Sequence, residues 1–137
     1  MKRFFLVLAA LSALAAVGPA AAMRERTHVT TFRHATFGRV LARPDGQALY
    51  YWSVEKRDRF RIHCTGSCAR LWPPLFIPKG AAVPARVAGY NGRFGVVRRP
   101  DGRRQLTYNR LPLYTYVHEG PRQVLCNDVD GWFVVRA

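Results

Sequence analysis

Turn-forming residues punctuate this chain repeatedly from residue 44 onward. Pro44-Asp45-Gly46, Pro73-Pro74, Pro78-Lys79-Gly80, Asn91-Gly92, Pro100-Asp101-Gly102, Glu119-Gly120-Pro121 and Asp130-Gly131 all read as turns. In a Pro-Asp-Gly turn, Pro presets φ, Asp bonds its own backbone and Gly accepts positive φ. The intervening pieces are short apolar or alternating runs, without helical periodicity. That pattern predicts an all-β fold in one small domain. Alternation is plainest where Arg57, Arg59, Arg61 and His63 interleave with Asp58, Phe60, Ile62 and Cys64. A strand there would turn Phe60, Ile62 and Cys64 inward and leave the Arg row in water.

The pieces also repeat. Residues Phe37 to Gly46 match Phe94 to Gly102 with one residue deleted, each a strand entering a Pro-Asp-Gly turn. The following strand, Leu49-Tyr50-Tyr51-Trp52-Ser53-Val54-Glu55, is answered by Leu113-Tyr114-Thr115-Tyr116-Val117-His118-Glu119. Between turn and strand, the second copy carries Gln105 to Pro112, which reads as an inserted strand and turn. A duplicated strand-and-turn unit implies two related halves in a pseudo-twofold arrangement.

The first residues read as an address. Lys2 and Arg3 precede an apolar run from Phe4 to Val17, then Gly18-Pro19 and Ala20-Ala21-Ala22. The run is short of the roughly 20 residues needed to cross a bilayer. A secretory signal peptide cleaved after Ala22 is therefore expected, with 23–36 as an N-terminal extension and 37–137 as the domain. No cysteine near the cleavage site offers a lipid anchor. Of 22 Lys and Arg residues 19 are Arg, against 8 acids, and cleavage removes only Lys2 and Arg3. Such a surface attracts anions, or serves only to keep the domain soluble.

Several segments together resemble one family. The paired Tyr-x-aromatic-x-x-acid motifs are Tyr50-x-Trp52-x-x-Glu55 and Tyr114-x-Tyr116-x-x-Glu119. Beside them stand Cys64-Thr65-Gly66-Ser67-Cys68-Ala69-Arg70-Leu71-Trp72-Pro73-Pro74, Gln105-Leu106-Thr107-Tyr108-Asn109 ahead of Pro112-Leu113-Tyr114, and Trp132 to Val135. Over about residues 37–135 the chain resembles the secreted repeats of unknown function, predicted bacterial lipoproteins with a Yx(FWY)xxD motif. It departs from them in three places. Both motif acids are Glu rather than Asp, the lipid-anchoring cysteine is missing, and Arg110 stands where Gly is usual, so a different turn is expected there. No catalytic activity is established for that family, so the resemblance supplies no reaction.

Cys64 and Cys68 carry the clearest chemistry. In an oxidising compartment two such near thiols pair, and a loop over Thr65-Gly66-Ser67 can bring their Cα atoms within the required distance of about 4.4–6.8 Å. Cys126 is then left over, as a buried free thiol, a partner for Cys64 or Cys68, or a link to another chain. The alternative is a metal. His63, Cys64 and Cys68, with Cys126 or His118, offer thiolate and imidazole ligands suited to Cu(I) or zinc. The spacing is neither C-x-x-C nor C-x-x-C-H, and His63 would fall on the strand face opposite Cys64. Tyr50, Trp52, Tyr114 and Tyr116 either fill a core or form an exposed stacking platform. Duplication favours the core, with Glu55 and Glu119 at equivalent corners. Paired acids also raise glycoside hydrolysis, but no catalytic signature accompanies them. Asn127-Asp128-Val129-Asp130-Gly131 lacks the closing acid of a calcium loop and reads as a turn.

The expectation is an exported, non-enzymatic β-module, periplasmic or secreted, without cofactor or catalytic residues. Its basic surface and the Cys64–Trp72 loop are the contact candidates. Lipopolysaccharide, acidic lipid or a cell-wall polymer are the partners its charge suits, and export disfavours nucleic acid. The alternative is a copper- or zinc-binding, or thiol-redox-active, periplasmic protein built on Cys64 and Cys68.

Overall fold

The computed structural model describes residues 28–137, so the expected signal peptide lies outside the described residues. Strands β1 (Thr30–His34) and β2 (Gly38–Ala42) form an antiparallel hairpin, with Thr30 opposite Ala42. Strand β3 (Tyr50–Trp52) runs into helix α1 (Ser53–Arg57); helix α2 (Gly66–Leu71) and strand β4 (Phe76–Ile77) follow. Strands β5 (Phe94–Arg98), β6 (Arg104–Tyr108), β7 (Leu111–Pro112) and β8 (Trp132–Val134) complete the order. β6 pairs with β5, β4 and β7, while β8 returns to pair with β3. Single bridges from Tyr114 to Tyr50 and to Pro74 tie these pairings together. The architecture is mostly strand in one small domain. Among the described residues no helix is long and apolar enough to cross a membrane.

Three adjacent apolar pairs in extended backbone are covered on both faces. Leu49 and Tyr50 are neighbours, yet Leu49 lies in one core cluster and Tyr50 in the other. Leu113 and Tyr114 divide in the same way, and so do Val135 and Val134. Successive side chains of extended backbone point to opposite faces, so each apolar pair feeds two cores.

Backbone bonds close two matching triangles. Leu41 N–H donates to Val135 O at 2.8 Å, Leu49 N–H to Leu41 O at 2.9 Å, and Val135 N–H to Leu49 O at 2.8 Å. Leu106 N–H donates to Leu75 O at 2.9 Å, Leu113 N–H to Leu106 O at 3.1 Å, and Leu75 N–H to Leu113 O at 2.9 Å. β6, inside the segment expected to be an insertion, thus makes the contacts that β2 makes. The sequence match aligns the two Pro-Asp-Gly turns, but those turns close different hairpins: one follows β2, the other precedes β6. Turn sequences report local geometry, whereas strand position is set by long-range pairing.

Other expectations are also corrected. Residues 57–64 are no strand: α1 ends at Arg57, and Arg59 and Phe60 take left-handed φ values of 52° and 65°. The side chain of Glu55 causes the bend, accepting the backbone N–H groups of His63 and Cys64 at 2.8 and 3.0 Å. The inside–outside trend survives: Cys64 is buried while Arg57, Arg59, Arg61 and His63 are exposed. The strands entering the two tyrosine motifs are short, because Ser53–Arg57 is helical and Thr115–Glu119 is loop. Within the expected extension, β1 pairs with β2, and Val29 and Phe32 are core residues. Asn109 and Arg110 adopt φ of 50° and 70°, the paired left-handed values of a tight hairpin turn. Arg110 therefore takes a conformation that Gly would take without strain, and its guanidinium lies 4.4 Å from the centre of the Phe60 ring.

Candidate functional site

The tyrosine motifs exchange partners. Tyr50 OH donates to Glu119 Oε1 at 2.6 Å, and Tyr114 OH donates to Glu55 at 2.8 and 3.0 Å. Each tyrosine of one motif thus binds the acid of the other. Tyr50 and Tyr114 are also bonded through their backbones in both directions, at 2.8 and 2.9 Å. All four residues are buried. Burial first, then the adjacent carboxylates, pushes both phenols well above the ordinary tyrosine range. A buried carboxylate needs several donors. Glu55 has them from Tyr114, His63 and Cys64. Glu119 is served by Tyr50 and by Leu125 N–H at 2.6 Å, but its Oε2 has no partner among the described residues. Burial raises the Glu119 carboxyl above its ordinary value, opposed by those two bonds.

The third motif positions build a ladder of rings. Trp52 stacks on Trp132 at 5.4 Å, Trp132 on Trp72 at 3.9 Å, and Trp72 packs on Tyr116 at 4.8 Å. Tyr50 meets Trp72 edge-on at 5.3 Å and Tyr114 meets Trp132 edge-on at 5.1 Å. Trp72 and Trp132 are buried, while Trp52 and Tyr116 at the ends are half-buried. These aromatics are core, with no free face in the middle of the ladder. Pro74 is buried and bridges Tyr114, and Pro73 O accepts the Thr115 N–H at 3.0 Å.

Cys64 and Cys68 form a disulfide with Cα atoms 5.1 Å apart, and Cys126 is a free, buried cysteine. Burial raises the Cys126 thiol, and nearby Glu119 raises it further. Exposed His63 pairs with Asp58 at 2.7 Å, and His118 is also exposed. Among the described residues no three His, Cys, Asp or Glu gather into a set that could hold a metal ion. The disulfide also withdraws two of the candidate thiolates.

The bridged loop instead forms one wall of an open cleft. Thr65, Gly66, Ala69 and Arg70 face the turn Pro100-Asp101, with Arg99 and Arg103 beside it. Arg99 was not singled out from sequence, yet it is only 4 % exposed. It donates to Cys64 O at 2.6 Å and Gln105 Oε1 at 2.7 Å, with Tyr114 OH at 3.5 Å. One buried guanidinium therefore fastens the disulfide loop to β6 and to the Tyr114–Glu55 pair. Adjacent residues of an extended chain point oppositely, and here Arg98 is exposed while Arg99 is buried. Arg103 bonds Asp101 at 2.8 and 2.9 Å, which holds that carboxyl below its ordinary value. Neither Glu55 nor Glu119 lines this cleft. The charged side chains of the lining are therefore mostly cationic, with the one acid already paired.

No protein-family model, curated protein or solved structure matches the chain.

Proposed function

We propose that this protein is an exported, non-enzymatic β-module that binds an anionic component of the cell envelope in the cleft between the disulfide loop and the Pro100-Asp101 turn. One observation carries the reading. Arg70, Arg99 and Arg103 line that cleft against a single acid, Asp101, which Arg103 already neutralises. Arg70 and Arg103 are exposed and attract oxyanions, while buried Arg99 adds positive charge beneath them. Export rests on residues 1–22. Kinship with the secreted repeats rests on the motifs themselves, and the pseudo-twofold relation of the halves is supported by the exchanged Tyr–Glu bonds.

Co-sedimentation with lipopolysaccharide, with phosphatidylglycerol vesicles and with purified cell-wall polymer, each against a zwitterionic vesicle control, tests the reading. Arg70→Ala/Arg103→Ala should weaken binding to the preferred anion about tenfold, equivalent to about 1.4 kcal/mol, with melting nearly unchanged. Arg33→Ala/Arg136→Ala removes the same charge from other exposed positions and should matter little. Equal losses from both double variants would show diffuse attraction by the whole basic surface and overturn the cleft as the binding site.

A further inference from the structure

The Pro100-Asp101-Gly102 turn is a ridge with a basic cleft on each side. The second cleft is lined by Phe76, Pro78, Lys79, Arg98 and Arg104, and it shares Asp101 and Arg103 with the first. Arg103 lies on the ridge with its guanidinium 3.9 Å from the Phe76 ring centre, held by Asp101. Arg104 is anchored by Pro78 O at 2.9 Å and Ala81 O at 2.8 Å. Cations thus run from Arg70 and Arg99, over Arg103, to Lys79, Arg98 and Arg104. The one acid on this path is already paired.

We infer that the ligand is a linear phosphate polymer lying across this ridge, an inference that rests on the anion-binding reading above. A single small anion would occupy one cleft and leave the second row of cations unused. Two basic clefts with a common wall suit charges repeated along one chain. Phosphate fits better than carboxylate because the exposed guanidinium groups arrive from different elements: Arg70 on α2, Arg98 at the end of β5, and Arg103 before β6. A phosphate group accepts from several directions, whereas a carboxylate presents one planar edge. Joining two sites through one chain raises affinity without any new kind of contact.

The experiment titrates the full mature chain with orthophosphate, tripolyphosphate and long-chain inorganic polyphosphate over a salt series. Long polyphosphate should bind at least about tenfold more tightly than tripolyphosphate. Lys79→Ala/Arg98→Ala, both exposed positions, should erase most of that advantage, leave tripolyphosphate binding intact and lower the salt slope by about 2. Thermal melting of the variant confirms that it is folded. If chain length makes no difference while tripolyphosphate binds, the polymer inference is wrong and the single-cleft anion reading stands. If none of the three binds even at low salt, the phosphate-polymer inference falls, while the anion reading is judged separately by the co-sedimentation result. Tighter binding of single-stranded DNA with the same number of phosphates would overturn the inference in favour of nucleic acid.

Discussion

Glu119 and Glu55 occupy equivalent motif positions but different electrostatic settings. Glu55 has donors on both sides, and Arg99 reaches its partner Tyr114. Glu119 keeps one buried oxygen without a partner among the described residues. Its carboxyl is raised from the ordinary 4.5 chiefly by burial. The folded state therefore holds this proton more tightly than the unfolded chain. The resulting stabilisation is fully present below about pH 4.5 and is lost as pH rises through the folded-state value. Glu119→Gln should flatten that part of the melting-temperature profile and gain stability relative to wild type near neutrality. Thermal unfolding between pH 4 and 8 checks this, and an unchanged slope would show that Glu119 titrates as an exposed acid. Gly131 shows what backbone geometry demands: its φ is 80°, and a Cβ there would stand 2.7 Å from Ser53 Oγ. That close approach explains a Gly in the turn before β8.

At the scale of elements, the disulfide loop is the decisive piece. A bridge spanning four positions removes little unfolded-chain entropy, so its loss should cost about 2 kcal/mol. Its larger effect is local: it fixes the chain between Cys64, whose carbonyl binds Arg99, and Trp72 at the centre of the ring ladder. Non-reduced peptide mass spectrometry should find the Cys64–Cys68 peptide two hydrogens light, with Cys126 alone alkylated after unfolding. Free thiols at 64 and 68 in oxidised protein, with stoichiometric copper or zinc, would favour the metal alternative. The alternation over residues 57–64 was legible in the sequence, and it did sort exposed from buried residues. It did not report that a carboxylate eight and nine positions away would take up the backbone N–H groups a strand partner would need.

For the whole molecule, segments far apart in sequence complete one another's bonding. Tyr50 is bonded to Glu119, Tyr114 to Glu55, and each backbone triangle takes a residue from a remote segment, Val135 in one and Leu75 in the other. The ring ladder joins Trp72 and Trp132 across a similar distance in sequence. Trp72→Ala should therefore cost about 3–5 kcal/mol, the usual range for a buried aromatic. Trp52→Ala and Tyr116→Ala should cost less, about 1–3 kcal/mol, since both rings lie half-buried at the ladder's ends. Chemical denaturation of the three variants measures the ranking, and unfolding should stay a single transition in each. A Trp52 loss as large as that of Trp72 would contradict the ladder's order of burial.

Local chemistry determined what the sequence alone revealed. Pro, Asp and Gly mark turns because their own covalent geometry prefers them. The thiol pair was close enough to bridge by chain length alone, and the duplicated motifs placed aromatic and acidic residues at matching positions. Tertiary structure decided the rest, because it depends on which distant groups meet. Sequence could show two Tyr-x-aromatic-x-x-Glu copies, but not that each tyrosine binds the other copy's acid. It could show Arg98-Arg99, but not which guanidinium is buried beneath the disulfide loop. It matched two Pro-Asp-Gly turns, whereas backbone pairing made β6 the counterpart of β2. Turn preference is a property of adjacent residues; partnership is settled only when buried donors and acceptors from remote segments must satisfy one another.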